Sequence, residues 1–190
     1  MKKLLSIAVL FTMFFTGCSN DVNISGPVEE QINKEEFISR TNLEGLSVNT
    51  TFTASKTIVG SSGGFIKIGN LATARSGQIG GDAAAITFPA GAFSGSKTIT
   101  MTIDNVALTG TFSPSMTFTK PVCFNVLFTG VNLSNLPLDQ LVFVYYDANN
   151  VKYEIASKFI YYDKAKGVLG IRDAQLPHFS RYGFLRKDGI

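Results

Sequence analysis

Few side chains in this 190-residue sequence could take part in covalent chemistry or hold a metal ion. The chain contains two cysteines, Cys18 and Cys123, and one histidine, His178, which precedes Ser180 by two residues. A deprotonated thiol is a nucleophile, and an imidazole accepts the proton of a neighbouring hydroxyl. One histidine and two distant cysteines are too few for a zinc site of the histidine and cysteine type. We therefore expect no metal site and no cofactor.

Cys18 follows a segment that has the three parts of an export signal. The second and third residues are lysines, the apolar run Leu4–Phe15 comes next, and small residues lie immediately before the cysteine. The apolar run is shorter than the ~20 residues that a spanning helix needs, so a permanent transmembrane helix is the weaker interpretation. The pattern predicts a cleaved signal peptide over residues 1–17.

The segment Phe15-Thr16-Gly17-Cys18 resembles the lipobox of bacterial lipoproteins, in which a cysteine becomes the new N-terminus. Phe15 departs from the pattern, since leucine is commoner there. The resemblance implies cleavage between Gly17 and Cys18, a diacylglycerol thioether on the cysteine, and an acyl chain such as palmitate on its amine. Each buried methylene contributes about 0.8 kcal/mol, so several chains hold a protein in a membrane almost permanently. The alternative is an ordinary secretory signal with an incidental cysteine.

The residues beside the cysteines bear on location and folding. Ser19, rather than aspartate, follows Cys18, which in bacteria with two membranes resembles lipoproteins sorted to the outer membrane. We expect a lipid-anchored protein of the cell envelope.

Acylation of Cys18 leaves Cys123 without a disulfide partner. Cys123 lies in the apolar run Val122–Phe128, so we expect a buried structural thiol.

Charge and composition divide the mature chain into a linker and a domain. Residues 18–50 are polar and hold six acidic and two basic side chains, which is typical of a lipidated N-terminus followed by a spacer. Val28, Ile32 and Ile38 recur near helical spacing and favour one or two helical turns there. Residues 51–190 hold thirteen basic and eight acidic side chains. The basic residues are scattered, so we expect no nucleic-acid partner.

The composition of the domain favours strands. The chain has sixteen phenylalanines and six tyrosines but no tryptophan, and short β-branched and aromatic runs alternate with Gly, Pro, Asn and Asp. This pattern predicts an all-β protein, an antiparallel β-sandwich or barrel. Strands are predicted near residues 51–58, 64–69, 84–88, 97–104, 114–119, 121–128, 141–147, 151–157, 159–163, 167–172 and 179–185.

Local patterns add detail to these strands. Residues 97–104 alternate apolar side chains with threonines, which is typical of a strand with one wet face. Residues 147–150 and 163–167 have the composition of hairpin turns. Pro121 is expected at the start of a strand, because a central position would cost a ladder hydrogen bond.

Several segments occur in an order that resembles a known domain family. Gly63-Gly64-Phe65, Ile86–Phe93, Lys120-Pro121-Val122 and Leu176–Ser180 together resemble the zonula-occludens and Unc-five (ZU-five) domain, over about residues 63–184. The resemblance implies an immunoglobulin-like β-sandwich that serves mostly as a protein-interaction or structural module. The cytoplasmic partners of the animal members are not carried over.

The same resemblance suggests one reaction. In some ZU-five proteins, a His-Phe-Ser of this kind cleaves itself between Phe and Ser. Carried over, Ser180 is the nucleophile, Phe179 supplies the carbonyl, and His178 is the base or a source of strain. The alternative is structural: Phe179 is a core residue, and its neighbours satisfy backbone groups where the last strand begins.

Other candidate sites are weaker. The Gly60–Gly64 segment lacks the Lys-Ser/Thr ending of a phosphate loop and is interpreted as a flexible turn. The carboxylates Asp82, Asp104, Asp139 and Asp147 lack the spacing of a calcium loop, although folding could bring carboxylates together. The tyrosines predict either a solvent-facing strip for a glycan or protein partner, or packing with wet hydroxyls. They are Tyr145, Tyr146, Tyr153, Tyr161, Tyr162 and Tyr182.

Three functions follow from these observations. The first is a non-enzymatic, lipid-anchored β-sandwich of the cell envelope that binds a protein or glycan partner or serves as a structural module. The second is a domain that cleaves itself between Phe179 and Ser180. The third is a small-ligand carrier, which a large apolar pocket between the sheets would support and a filled core would not.

Overall fold

The computed structural model describes residues 37–40, 51–78, 81–147, 149 and 151–187. The described part contains a helix α1, Leu71–Arg75, a short 3₁₀ helix, Leu138–Gln140, and eleven strands. The strands are β1 Thr51–Val59, β2 Gly64–Ile68, β3 Ala83–Phe88, β4 Ser96–Asp104, β5 Thr109–Ser113, β6 Thr117–Phe128, β7 Leu141–Tyr146, β8 Lys152–Glu154, β9 Phe159–Asp163, β10 Val168–His178 and β11 Arg181–Arg186.

The strands form two sheets. The six-stranded sheet has the order β1-β4-β5-β11-β7-β8, and the five-stranded sheet has the order β2-β3-β6-β10-β9. Every pairing between these strands is antiparallel. The prediction of an all-β antiparallel sandwich is therefore confirmed, whereas its immunoglobulin-like character stays a prediction.

Aromatic rings from both sheets fill the space between them. Phe112 of the six-stranded sheet lies edge-on to Phe124 of the five-stranded sheet, with ring centroids 5.1 Å apart. Phe128 and Phe184 make a similar contact at 6.4 Å. All four side chains are buried. Because aromatic rings bury large apolar areas, this packing joins the two sheets without a disulfide.

The wet-face prediction for residues 97–104 is confirmed. Ile99, Met101 and Ile103 are buried in the core, and the threonines between them lie on the outer face of β4. There they form hydroxyl–hydroxyl hydrogen bonds with side chains of β1: Thr53 with Thr102 at 3.3 Å, Ser55 with Thr100 at 2.7 Å, and Thr57 with Thr98 at 2.9 Å.

The two predicted hairpin turns are present. At the first, between β7 and β8, the Asp147 carboxylate accepts hydrogen bonds from the backbone N–H groups of Asn149 and Val151, both at 2.8 Å. At the second, between β9 and β10, Asp163 accepts a hydrogen bond from the Lys166 N–H at 3.1 Å. An aspartate that mimics a backbone turn in this way explains why composition identified both turns.

The prediction for Pro121 was wrong. Residues 114–119 and 121–128 do not form two strands, because β6 runs unbroken from Thr117 to Phe128 between β3 and β10. The β6–β10 register shifts between the pairs Leu176–Val122 and His178–Thr117. Pro121 lies in this irregularity, where its missing N–H removes no ladder hydrogen bond.

Other predicted boundaries also needed correction. The sequence pattern predicted neither the strand β5 nor the helix α1, and the strand predicted at 151–157 spans only Lys152–Glu154. Gly110 lies within β5, where a Cβ would meet the ring of Phe124 at 3.2 Å. Close packing against this ring thus favours a glycine in a strand, where the residue type alone argues against one.

Four residues assigned to the linker by sequence lie against the sandwich. The Ile38 N–H donates to the Phe184 carbonyl at 2.8 Å, and the Arg40 N–H donates to the Val106 carbonyl at 2.7 Å. Phe37 covers the outer face of β11, and a Cβ at Gly183 would meet its ring at 2.6 Å. The folded unit therefore includes residues 37–40 as well as the strands.

This segment is held by a buried carboxylate. Asp82 accepts hydrogen bonds from an Arg40 Nη atom at 3.1 and 3.2 Å, and from the Asn105 amide at 3.0 Å. It also accepts from the backbone N–H of Thr129 at 2.6 Å and from its hydroxyl at 3.1 Å. The Arg40 and Asp82 side chains are 7% and 1% exposed. A buried charge needs this kind of pairing to be tolerated.

Replacing the cation should destabilise the fold strongly. Arg40→Met keeps much of the apolar stem but leaves the Asp82 carboxylate buried without its counterion, so we expect the free energy of unfolding to fall by about 3–5 kcal/mol. Urea unfolding followed by circular dichroism measures this loss. The control is Lys166→Met, which removes the exposed pair with Asp163 and should leave the unfolding midpoint almost unchanged. Equal small effects of both substitutions would contradict the role assigned to Asp82.

Candidate functional site

The predicted lipidation site lies outside the described residues. Gly17, Cys18 and the signal segment are not among them, so their predicted roles stay predictions. Within the described part, no helix has the length and apolar character that crossing a bilayer requires.

The His178-Phe179-Ser180 segment forms the turn between β10 and β11. Because β10 belongs to one sheet and β11 to the other, this turn connects the two sheets at one end of the sandwich. Phe179 is buried, its N–H donates to the Met116 carbonyl at 2.8 Å, and its ring packs on Phe118 with centroids 4.8 Å apart. The phenylalanine is a core residue, as the structural interpretation of the motif predicted.

The histidine approaches the carbonyl that self-cleavage would attack. The His178 Nδ1 atom lies 3.2 Å from the Phe179 carbonyl oxygen. In the tautomer with a proton on Nδ1, the imidazole donates to this oxygen and polarises the carbonyl. Neither Phe179 nor Ser180 has a positive φ angle. The turn therefore has a polarising group but shows none of the left-handed strain that would help a peptide bond break.

Tyrosines surround the histidine on its other side. The Tyr182 hydroxyl donates to the His178 carbonyl, and Tyr145 lies edge-on to the imidazole with ring centroids 4.4 Å apart. Tyr153 stacks on Tyr145 at 5.0 Å and is 42% exposed. Tyr161 lies on β9 of the other sheet, so the tyrosines do not form one strip. Tyr182 is fully buried, which supports the packing interpretation.

The segments that resemble the ZU-five family meet at one end of the sandwich. Gly64 lies opposite Phe88 in the β2–β3 pairing, and the Phe88 ring lies 6.2 Å from that of Phe179. The Gly91 N–H donates to the Gly60 carbonyl at 2.8 Å. These turns and core residues therefore pack against one another in the fold.

Three of the four isolated carboxylates have structural roles. Asp82 is buried in its ion pair, and Asp104 accepts hydrogen bonds from the N–H groups of Val106 and Ala107 at 2.9 and 2.8 Å. Asp147 holds the hairpin turn described above. Among the described residues, no group of three or more His, Cys, Asp or Glu side chains is placed to hold a metal ion.

Cys123 is not in the core, contrary to the prediction. It lies on the outer face of β6 and is partly exposed. Partial burial, followed by a hydrogen bond to the Asp173 carboxylate at 3.4 Å and the charge of that group, raises the pKa of the Cys123 thiol. A thiol that keeps its proton is a poor nucleophile. The structure thus supports an unreactive thiol for a reason other than deep burial.

The outer face of the five-stranded sheet is an assembled surface that the sequence analysis missed. Residues opposite one another on antiparallel strands project from the same face, so the strand registers place two exposed rows side by side. We call these rows the open face. They consist of Phe65, Thr87, Cys123 and Gln175 in the first row, and Lys67, Ala85, Asn125, Arg172, Asp173 and Phe159 in the second.

Exposed aromatic rings bracket the open face. Phe65 on the edge strand β2 is 52% exposed, and Phe159 on the edge strand β9 is 45% exposed. Four strand spacings of about 4.8 Å separate the two edges, so the rings stand roughly 19 Å apart. Single exposed rings are common on protein surfaces, so the case for this face rests on the two rings together with the polar groups between them.

A bulge shapes the middle of the open face. The β10–β6 register shifts between Ile171 and Ala174, and Asp173 has a positive φ of 52°. Its N–H donates to the Asn125 side-chain oxygen at 3.1 Å. Because a bulge puts an extra residue on one strand, the side chains of Arg172 and Asp173 both belong to this region.

The helix α1 covers one end of the same outer face. Leu71 and Ala74 of α1 pack with Ala83, Leu127 and Val168, and the Arg75 guanidinium lies 5.6 Å from the centroid of the Tyr161 ring. The helix therefore ends the open face on one side.

Part of the open face could have been recognised in the sequence, since Phe65 alternates with the core residue Ile66 and shares its side of β2 with Lys67.

Comparisons with known proteins add no family. The sequence matches no protein-family model, and a search of curated proteins finds no relative. The resemblances to the lipobox and to the ZU-five domain therefore stay predictions.

The buried tyrosine of the turn should make stability fall at alkaline pH. Burial, followed by the nearby Tyr145, raises the pKa of Tyr182. Above pH ~10 the unfolded chain releases a phenol proton that the folded chain keeps. The contribution of Tyr182 to the free energy of unfolding is therefore complete below that pH. Above it, the free energy of unfolding falls by up to about 1.4 kcal/mol per pH unit.

Tyr182→Phe tests this dependence. Urea unfolding should show a smaller decrease in stability above pH ~10 for the variant than for the unmodified protein. Below about pH 9 the variant should be less stable by a constant 1–3 kcal/mol, roughly the cost of leaving the His178 carbonyl without its donor. Identical alkaline slopes would show that Tyr182 does not titrate as its burial requires.

Proposed function

We propose that this chain is a lipid-anchored β-sandwich of the bacterial cell envelope that binds a glycan or protein partner through the open face. The lipobox-like segment ending at Cys18 supports the anchor, and the ZU-five-like segments support an interaction module. The observation that carries the binding function is the pair of exposed rings, Phe65 and Phe159, on one face with hydrogen-bonding side chains between them.

The packing of the core does not support a small-ligand carrier. Phe112, Phe118, Phe124 and Phe179 contact one another with ring centroids 4.8–5.1 Å apart. These rings occupy the space between the sheets where a carrier would need its cavity. The surface of the sandwich is therefore the better place for recognition.

Labelling with radioactive palmitate tests the anchor. The full-length chain should incorporate the label in bacterial cells, and the mature protein should begin at Cys18 by mass spectrometry. Cys18→Ala should incorporate none, because the thioether cannot form. Fractionation alone is insufficient, since an uncleaved signal segment would itself bind the membrane.

Cys123→Ser is the matched control for the anchor. It removes the other cysteine, a partly exposed thiol on the open face, and should leave palmitate incorporation unchanged. Label on Cys18→Ala, or a mature chain that begins at another residue, would show that the anchor is wrongly placed.

A second function, self-cleavage between Phe179 and Ser180, is favoured by one contact. The Ser180 hydroxyl would attack the Phe179 carbonyl carbon and give its proton to the His178 imidazole. The C–N bond would then break as the amine takes that proton, and water would hydrolyse the resulting ester to an acid and an alcohol. The supporting observation is the 3.2 Å separation between His178 Nδ1 and the Phe179 oxygen. With the proton on Nδ1 this contact polarises the carbonyl, and Nε2 is then the nitrogen that would accept the serine proton.

Intact-mass measurement of the denatured protein distinguishes this second function. Self-cleavage predicts a chain that ends at Phe179 and a separate Ser180–Ile190 fragment. Ser180→Ala should then give one uncut chain, while the control Ser134→Ala at an exposed loop position should still be cut. A folded, unmodified protein that stays uncut would eliminate this function and leave the binding function intact.

A further inference from the structure

We propose that the partner of the open face is an anionic glycan, an oligosaccharide that carries carboxylate groups. This inference rests on the proposed binding function and names the chemical class of its partner. It depends on the combination of separate aromatic rings, a polar surface between them, and an excess of basic side chains.

The two rings suit sugar units. One side of a pyranose ring presents C–H groups, which pack on an aromatic ring while the sugar hydroxyls remain available for hydrogen bonds. Phe65 and Phe159 are each about half exposed and lie at opposite edges of the sheet. Because they stand roughly 19 Å apart, a monosaccharide cannot contact both rings. The spacing favours an extended oligosaccharide.

The surface between the rings offers hydrogen-bonding groups. Thr87 and Gln175 are exposed in the first row, and Asn125 and Asp173 are partly exposed in the second. Ala85, between Lys67 and Asn125 in the registers, adds little bulk, so a chain can approach the backbone. Both amide atoms of Asn125 and the side-chain N–H of Gln175 already bond within the face. The Thr87 hydroxyl, the Gln175 side-chain oxygen and the Asp173 carboxylate are the groups placed to meet sugar hydroxyls.

Basic side chains outnumber acidic ones on the open face and beside it. Next to the face, on β1 of the six-stranded sheet, the Lys56 ammonium lies 4.7 Å from the centroid of the Phe65 ring and donates to the Phe65 carbonyl at 3.2 Å. Lys67 and Arg172 belong to the second row, in which Asp173 is the acidic residue. The positive charges therefore outnumber the negative one and favour a polyanion.

The same arrangement disfavours a protein partner. Protein interfaces concentrate their binding free energy in a central, contiguous cluster of buried aromatic and apolar side chains. On the open face the exposed rings lie at the two edges, and polar residues lie at the centre. A chain of sugar units uses such separated contacts well, because each unit packs and hydrogen-bonds independently.

Titration calorimetry with polygalacturonate oligomers tests the inference. We expect the full-length protein in detergent to bind the oligomers, to bind neutral dextran at least tenfold more weakly, and to lose affinity for the polyanion when salt is raised, because salt screens the charges. Phe65→Ala combined with Phe159→Ala should weaken binding at least tenfold, as should Lys67→Glu.

Matched variants separate a local effect from a loss of folding. Tyr162 lies on β9 like Phe159 and is 46% exposed, but it faces Leu169 on the other side of the strand. Tyr162→Ala should therefore bind normally, and so should Lys97→Glu on the six-stranded sheet. Circular dichroism should show that all these variants keep the fold.

The outcomes distinguish the inference from the function on which it rests. No binding of polygalacturonate, or equal binding by the double phenylalanine variant, would overturn the anionic-glycan proposal. If cross-linking in envelopes then still attached the unmodified protein to a protein partner through the open face, the binding function would stand. If neither a glycan nor a protein were bound there, both would fail.

Discussion

The buried carboxylate of Asp82 is the constraint on which the assembly of the sandwich depends. A charge with a side chain 1% exposed would be costly without partners, and each of its partners comes from a different part of the chain. Arg40 comes from the segment before β1, Asn105 follows β4, and Thr129 follows β6. One group thus fixes where a strand of each sheet ends and where the N-terminal segment docks.

Within the described part of the chain, the docked segment leaves the open face uncovered. Phe37 packs with Val142, Val144 and Leu185 on the outer side of the six-stranded sheet, whereas Phe65 and Phe159 project from the outer side of the other sheet. The described end of the linker and the open face therefore occupy opposite sides of the sandwich. A partner can bind the open face without displacing the segment that Asp82 holds.

Local chemistry made much of the fold predictable from sequence, and long-range chemistry did not. Alternation along β4 and the aspartates of the two hairpins act within a few residues, so their patterns are visible in the sequence. Pro121 and Gly110 are explained only by neighbours on other strands, namely the β6–β10 irregularity and the core rings. The role of Arg40 was hidden for the same reason, because its partner lies 42 positions away.

The two candidate sites differ in the same way: one is local in the sequence, and the other is assembled by the fold. His178-Phe179-Ser180 is contiguous and was easy to single out. In the structure, however, its first two residues have packing partners that account for their types: Phe179 packs on Phe118, and His178 packs on Tyr145. The open face has no contiguous motif, because its rows exist only when five strands adopt one register. Its exposed phenylalanines fill no space in the core, although the Phe65 ring contacts the Lys56 ammonium, so core packing does not explain their presence. A residue whose type is not required by the fold is the stronger indication of function, and this favours the open face over the turn.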